Sequence, residues 1–347
     1  MTAQDVETWR DPRLGSPQEV RLSAGLIRYH DVGQGPALVF VHGYLVNANI
    51  WRTLVPLLAG SYRCIAVDWP LGSHTVPMAP DADLSPPGIA RLIGEFLDEL
   101  ELQDVTLVGN DSGGAYSQIL AADRPDRIGR LVLNSCETPE CSWPPGPGGF
   151  ALLRAAARWP ATHRALYQPL RLPATWRWPN TYGWLAKHPI EPRVMRSYVR
   201  PVLTRPAIRH DGRAAISAVS ARYVRVAAER LQRSFDKPVL LAWAAEDHVF
   251  PLDRAQRYAA ALGADLRRGH TVHGIETAPD RVTARIAGPA GPVRITARYL
   301  VSCDGERSTV RALTGVPVPG SDARRELLRA DVAGIAVGNR RFQRLPA

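Results

Sequence analysis

The sequence predicts an α/β protein built on a mostly parallel sheet. Two patterns carry this. Short apolar runs of strand length alternate with helix-length stretches through about residue 262, the spacing of repeated strand–helix–strand units. In addition, Val105-Thr106-Leu107-Val108 runs into Gly109-Asn110-Asp111-Ser112-Gly113-Gly114, and a helical pattern follows from Ala115 to Ala122. Strand, sharp turn and helix in that order form a nucleophile elbow. Its apex residue is held in a strained backbone conformation, so the residues two before and two after must be small. Gly109 and Gly113 meet this if Asp111 is the apex. With Ser112 there, the flanks would be Asn110 and Gly114, and Asn fits less well. The simpler alternative is a Gly-rich turn in which Asp111 only caps the next helix.

The elements follow in chain order. Residues 1–24 read as a polar lead-in. Leu26-Ile27-Arg28-Tyr29 is strand-like, and Asp31 to Pro36 has turn chemistry. Ala37-Leu38-Val39-Phe40-Val41 is the continuous apolar run of a parallel strand buried on both faces, and it leads into His42-Gly43-Tyr44. Trp51 to Leu58 reads as a helix. Tyr62 to Asp68 is a further strand. Ser85-Pro86-Pro87 starts a helix that runs through Ile89 to Leu100. After the elbow, Ile128 to Asn134 is the next strand.

Composition narrows the function. The chain has 347 residues, enough for one large domain or two smaller ones, and 45% of them are hydrophobic. No apolar run is long enough to span a bilayer, and the polar, acidic MTAQDVETWRDPR start is unlike a signal peptide. The four cysteines lie scattered, without metal or disulfide spacing. A cytoplasmic protein with no membrane partner is the expectation. The net charge of +10 comes almost wholly from arginine spread along the chain; the lysines are Lys187 and Lys237. Without a nucleic-acid motif, this reads as compositional bias rather than a nucleic-acid surface.

From about Leu26 to about Leu262 the chain resembles the α/β-hydrolase fold. The residues that carry the resemblance are His42-Gly43, Val67-Asp68-Trp69-Pro70, the elbow, and Pro238 to Trp243 followed by Glu246-Asp247-His248-Val249-Phe250-Pro251. An aspartate apex makes it similar to the haloalkane dehalogenase and epoxide hydrolase branch. The resemblance implies that Asp111 attacks a small apolar electrophile, a haloalkane or an epoxide, and forms an alkyl ester. A histidine oriented by an acid then activates water. Asp247 is the leading acid and Glu137 the second. The backbone N–H groups of Tyr44 and Ser112 would form the oxyanion hole. His42 is more often structural in this family. Dehalogenases usually carry tryptophan where this chain has Ser112, and epoxide hydrolases a proline where it has Tyr44-Leu45-Val46-Asn47, so both substrate classes stay open. The helical region 141–231 would form a cap over a core made of 1–140 and 232–262. Trp159, Trp176, Trp178 and Trp184 there either line an apolar pocket or pack cap on core. Tyr167, Tyr182 and Tyr198 lie in the region that supplies epoxide-activating tyrosines.

The pattern then changes. The hydrolase fold calls for a histidine a couple of dozen residues after Asp247, and His270 and His273 lie at about that distance. Yet the chain continues as a strand meander through Cys303 and then Asp304-Gly305-Glu306-Arg307-Ser308-Thr309-Val310-Arg311. This resembles an FAD-dependent aromatic-hydroxylase-type monooxygenase over about 263–332, within a fragment that spans 263–335, with 336–347 as a tail. The resemblance implies FAD contacts from Asp304 and Gly305. No Gly-x-Gly-x-x-Gly turn occurs in the chain, so the flavin site is incomplete. The reading is a chimera joined near Leu262, with Tyr299 to Cys303 as a candidate extra strand beside Pro238 to Trp243. Two functions follow: an aspartate hydrolase impaired by loss of its histidine segment and needing no cofactor, or an FAD-dependent oxidoreductase or its inactive remnant.

Overall fold

The computed structural model describes residues 8–141, 149–244, 246–263, 271–297, 300 and 309–315. The chain divides into two units, Met1–Arg268 and Gly269–Ala347.

The first unit is built on a seven-stranded sheet. Its strands are β1 (Ser16–Leu22), β2 (Gly25–Val32), β3 (Ala37–Val41), β4 (Arg63–Val67), β5 (Val105–Asp111), β6 (Ile128–Cys136) and β7 (Val239–Ala242), in the order β1-β2-β4-β3-β5-β6-β7. β2 runs antiparallel to β1 and β4, and β4, β3, β5, β6 and β7 are mutually parallel. Both faces are covered, which is why β3 needs no polar alternation. Val39 and Val41 pack with Ile89, Ile93, Phe96 and Leu97 of α2 (Pro86–Glu99) on one face. Leu38 and Phe40 pack with Trp51 and Val55 on the other, the latter from α1 (Val55–Leu58). α2 starts where Ser85 accepts the Gly88 N–H and proline sits in the first turn.

Two expectations are corrected. Within residues 1–24, Ser16–Leu22 is the edge strand β1, paired along its length with β2. Its exposed polar face hides it from a local reading. Trp51 to Leu58 is not one helix. A 3-10 turn, Ala48–Trp51, capped by the Asn47 side chain, precedes the single turn α1.

α3 (Ser112–Asp123) follows the elbow. Between β6 and β7 the chain inserts α4 (Gly149–Ala156), α5 (Pro160–Tyr167), α6 (Pro192–Thr204), α7 (Pro206–Ser217) and α8 (Ala221–Ser234), with irregular turns between α5 and α6. Most of this insertion packs around its own cluster, including Leu170, Val194, Tyr198 and Val202, while Ala227, Ala228 and Leu231 of α8 join the sheet core. α9 (Leu252–Ala261) follows β7. No helix among the described residues is long and apolar enough to cross a membrane.

The second unit contains an antiparallel sheet, β10-β9-β8, of β8 (Thr271–Ala278), β9 (Arg281–Gly288) and β10 (Gly291–Ala297), and one short helix, α10 (Thr309–Thr314). Gly291, with φ 115°, closes the β9–β10 turn in a conformation that glycine tolerates. Apart from Leu300, the segment Tyr299 to Cys303 lies outside the described residues. β8 to β10 form a sheet separate from the one that ends at β7.

Candidate active site

Asp111 is both the last residue of β5 and the N-cap of α3, at φ 57° and ψ −131°. An L-residue adopts a positive φ at a cost of roughly 1–2 kcal/mol, so the surroundings must hold it there. The flanking glycines explain how. A Cβ on Gly109 would lie 2.6 Å from the Gly114 Cα, and one on Gly113 would lie 2.1 Å from the Val41 carbonyl oxygen. Both obstacles are backbone and have no rotamer to escape into. Gly113→Ala is therefore expected to lower stability by about 3 kcal/mol or more, read as a fall in the urea midpoint. An unchanged midpoint would contradict the close packing.

The loop after β3 is laid on the elbow. Gly43 is so near that a Cβ there would sit 2.6 Å from the Asp111 Cβ. The Asp111 carboxylate accepts the N–H of Ser112. The Tyr44 N–H donates to the Ser112 hydroxyl at 3.1 Å. The two expected oxyanion donors thus both end at the elbow, and each already has a partner.

Asp111 opens on a cavity of about 940 Å³ whose lining includes Gly43, Tyr44, Trp184, Asp247 and His248. Burial pushes the Asp111 carboxyl up to about 6; the Ser112 N–H works against this and the Asp247 charge adds to it. Asp247 accepts the N–H groups of Val249 and Phe250 at 2.8 and 2.7 Å through one carboxylate oxygen, which fixes the loop after β7. Glu137 is buried directly after β6, and its N–H reaches the Asp111 carbonyl at 3.4 Å.

His42 is buried with both ring nitrogens engaged. Nε2 accepts the Trp69 N–H at 2.9 Å, and Nδ1 donates to the Gly43 carbonyl at 2.8 Å. Burial holds its pKa down at about 4, so the ring is neutral and braces the loop. His270 lies outside the described residues. His273 is an exposed residue at the irregularity of β8, in the second unit. The histidines that line the cavity are His188 and His248, which the sequence analysis did not single out. His248 adjoins Asp247 in sequence, a signal passed over because the fold's usual histidine comes later. Of the four tryptophans, Trp184 lines the cavity with its ring 6.0 Å from that of His248. Trp176 packs within the helical insertion, and Trp159 and Trp178 are 59% and 49% exposed. Tyr182 and Tyr198 line the cavity, and the Tyr182 hydroxyl donates to the Leu45 carbonyl at 2.7 Å. Tyr167 is buried against the Tyr44 hydroxyl. Among the described residues no cluster of acidic, histidine or cysteine side chains is arranged to hold a metal.

A strained aspartate between a parallel strand and a helix, opening on a cavity beside a second acid, is the arrangement of an α/β hydrolase. Residues 36–278 match the family described as the alpha/beta hydrolase fold, and the chain belongs to that family. Its neighbours include haloalkane dehalogenases and epoxide hydrolases. A haloalkane dehalogenase from Mesorhizobium japonicum is 39% identical over 109 residues, 31% of this chain and 35% of that protein. An α/β hydrolase fold protein from Burkholderia ambifaria has 26% identity and a TM-score of 0.57, covering 70% of this chain and 85% of that one.

The C-terminal part is different. Residues 249–344 match the family described as an FAD binding domain. A 12-dehydrotetracycline 5-monooxygenase/anhydrotetracycline 6-monooxygenase from Streptomyces rimosus is 52% identical over 64 residues, 18% of this chain and 13% of that protein. The curated relatives are matched over less than half of their own length. Asp304 and Gly305 lie outside the described residues. The residues present do not fit a flavin: the chain has no Gly-x-Gly-x-x-Gly turn, and the described part of the second unit has no strand–glycine turn–helix to cradle a pyrophosphate.

Proposed function

We propose that this hydrolase acts on a small apolar electrophile through Asp111. The carboxylate attacks an sp3 carbon that bears a halide or an epoxide oxygen. The carbon–oxygen ester bond forms as the bond to the leaving group breaks, and the leaving group departs with the electron pair. The observation that carries the reading is the strained backbone of Asp111, which lines the cavity and is held by glycines that admit no side chain. Asp247 is the orienting acid for a histidine, and Glu137 is the alternative acid. Tyr44 and Ser112 supply the oxyanion donors for hydrolysis of the ester. The histidine of that second step would come from His270 or His273. Without it the reaction stops at the ester, and the protein gains the mass of one alkyl group per chain. Intact-protein mass spectrometry after incubation with a bromoalkane or a terminal epoxide tests this. Unmodified protein with no halide or diol would refute it.

Only the carboxylate form of Asp111 is a nucleophile. Its pKa lies near 6 rather than 3.8, so the rate of ester formation is expected to rise with pH through about 6 and level off above 7. The same shift has the opposite sign for stability. A raised carboxylate pKa means the folded state holds its proton longer, so this group costs stability as the pH rises from about 4 to 6. A rate profile flat from pH 5 to 8 would exclude the assignment.

A second reading, flavin-dependent oxidation through Asp304 and Gly305, is supported by the FAD-binding match over 249–344. The missing pyrophosphate turn weighs against it. Reconstitution with FAD is expected to give colourless protein, and a bound flavin spectrum would revive this reading.

A further inference from the structure

The cavity on which Asp111 opens is large for a short electrophile. Its volume of about 940 Å³ is of the size that encloses ligands far bigger than a two- or three-carbon molecule. Aromatic rings supply much of its wall: Tyr44, Tyr182, Trp184, Tyr198 and Phe250. Four of these have work in the fold. Tyr44 packs against two apolar clusters and donates its hydroxyl to the Gly212 carbonyl at 3.1 Å. Tyr182 and Tyr198 belong to the cluster of the insertion, with ring centroids 6.1 Å apart and planes within 19°. Phe250 meets the Trp243 ring edge-on at 6.5 Å.

Trp184 differs. It is half-buried, yet among the described residues it joins none of the three apolar clusters of the fold. Its ring meets that of His248, which also lines the cavity, at 6.0 Å with the planes 36° apart. By contrast, Trp69, Trp176 and Trp243 each pack in or against a cluster and donate the indole N–H to a backbone carbonyl. The backbone around Trp184 is nevertheless fixed. The Gly183 N–H donates to the Trp178 carbonyl at 3.1 Å, and the Leu185 N–H to the Tyr182 carbonyl at 3.2 Å. A Cβ on Gly183 would lie 2.2 Å from the Arg177 carbonyl oxygen, so the turn is built around glycine there. A large ring that no core uses is thus carried to the cavity wall on an ordered turn, which lowers the cost of ordering it around a ligand.

We infer that the cavity takes aryl-substituted electrophiles, with the aryl ring against Trp184 and the reactive carbon toward Asp111. This rests on the reading of Asp111 as the nucleophile. A saturated ring of the same carbon count gains at least as much from leaving water, since it carries more C–H surface. A planar aryl ring gains in addition from offset or edge contact with the indole, whose face is negative and whose edge is positive. Trp184 is then a specificity-determining residue. It ranks substrates by ring type and leaves bond making to Asp111.

Calorimetric titration of the full chain with the unreactive alcohols 2-phenylethanol and 2-cyclohexylethanol tests the ring preference without any chemistry at Asp111. The phenyl compound is expected to bind roughly threefold to tenfold tighter. Trp184→Leu is expected to abolish the difference at an unchanged thermal midpoint, and Trp184→Phe to keep part of it. Equal binding, a cyclohexyl preference or no saturable binding by the wild-type chain overturns the inference. So does a phenyl preference that survives intact in Trp184→Leu. Incubation with 2-benzyloxirane and with 2-(cyclohexylmethyl)oxirane, whose methylene spacers match their intrinsic reactivity, then distinguishes ring selection from nucleophilic attack. Faster adduct formation from the benzyl compound below saturation is expected, and equal rates there overturn the substrate selection. A phenyl preference in binding with no adduct from either epoxide would remove Asp111 as nucleophile and leave the ring site standing.

Discussion

Asp111→Ala is expected to form no alkyl adduct and to release no halide or diol, while the wild-type chain gains one alkyl group. The expected loss in rate exceeds roughly 10⁴-fold, because the attacking oxygen is lost and the Asp247 carboxylate beside it is committed to the Val249 and Phe250 N–H groups rather than set at a strained turn. Asp111→Asn separates chemistry from shape. It keeps the side-chain outline and an acceptor for the Ser112 N–H but removes the negative charge. It should be as inactive as the alanine variant, with a thermal midpoint equal to or above wild type at pH 8, since it deletes a charge that burial disfavours. An adduct in either variant would move the nucleophile elsewhere.

The largest expected loss of stability lies at Arg10. Its guanidinium reaches Asp68 through Nε at 3.0 and 2.9 Å and NH2 at 2.6 Å, with both side chains 4% exposed. It also donates to the Trp9 and Ser73 carbonyls, and Asp68 accepts the Ala48 N–H. Burial alone would raise the Asp68 pKa; Arg10 outweighs it and holds the carboxyl below its ordinary range. Arg10→Ala would leave a buried carboxylate without its cation and cost about 3–5 kcal/mol, lowering Tm by roughly 10 °C. The double variant Arg10→Ala/Asp68→Ala should lose less than the two single losses added together. Strict additivity in urea unfolding would mean that the pair is not coupled.

These two sites mark what could be read from the sequence. The elbow was legible because its demands are local: a strained apex requires small residues two positions away on each side, and Gly109 and Gly113 stand there. β3 was legible because a strand buried on both faces must be apolar throughout. Arg10 was not, since its partner is 58 residues away and an arginine beside a tryptophan has no local signature of burial. β1 stayed hidden for a related reason. Its polar residues face outward at the sheet edge, and only pairing with β2 makes them a strand. The aromatic residues of the insertion announced burial but not its direction, so Trp184 could not be told from Trp159 by spacing. The cavity histidines escaped because the fold's usual order places the base after Asp247 and its helix, whereas His188 lies in the insertion, and His248 adjoins Asp247.

The Ser112 hydroxyl at the Tyr44 N–H bears on the lifetime of any ester. Displacement at an sp3 carbon spreads charge over the departing group and asks nothing of these donors. Attack of water on the ester does ask, because a full negative charge then gathers on the Asp111 carbonyl oxygen. To receive it, the Tyr44 N–H must first let go of Ser112. On the proposed mechanism, the resting arrangement would therefore slow the shedding of a substituent relative to its acquisition. On that mechanism the protein would be consumed like a stoichiometric reagent, and its useful capacity would be counted in molecules of protein rather than in turnovers.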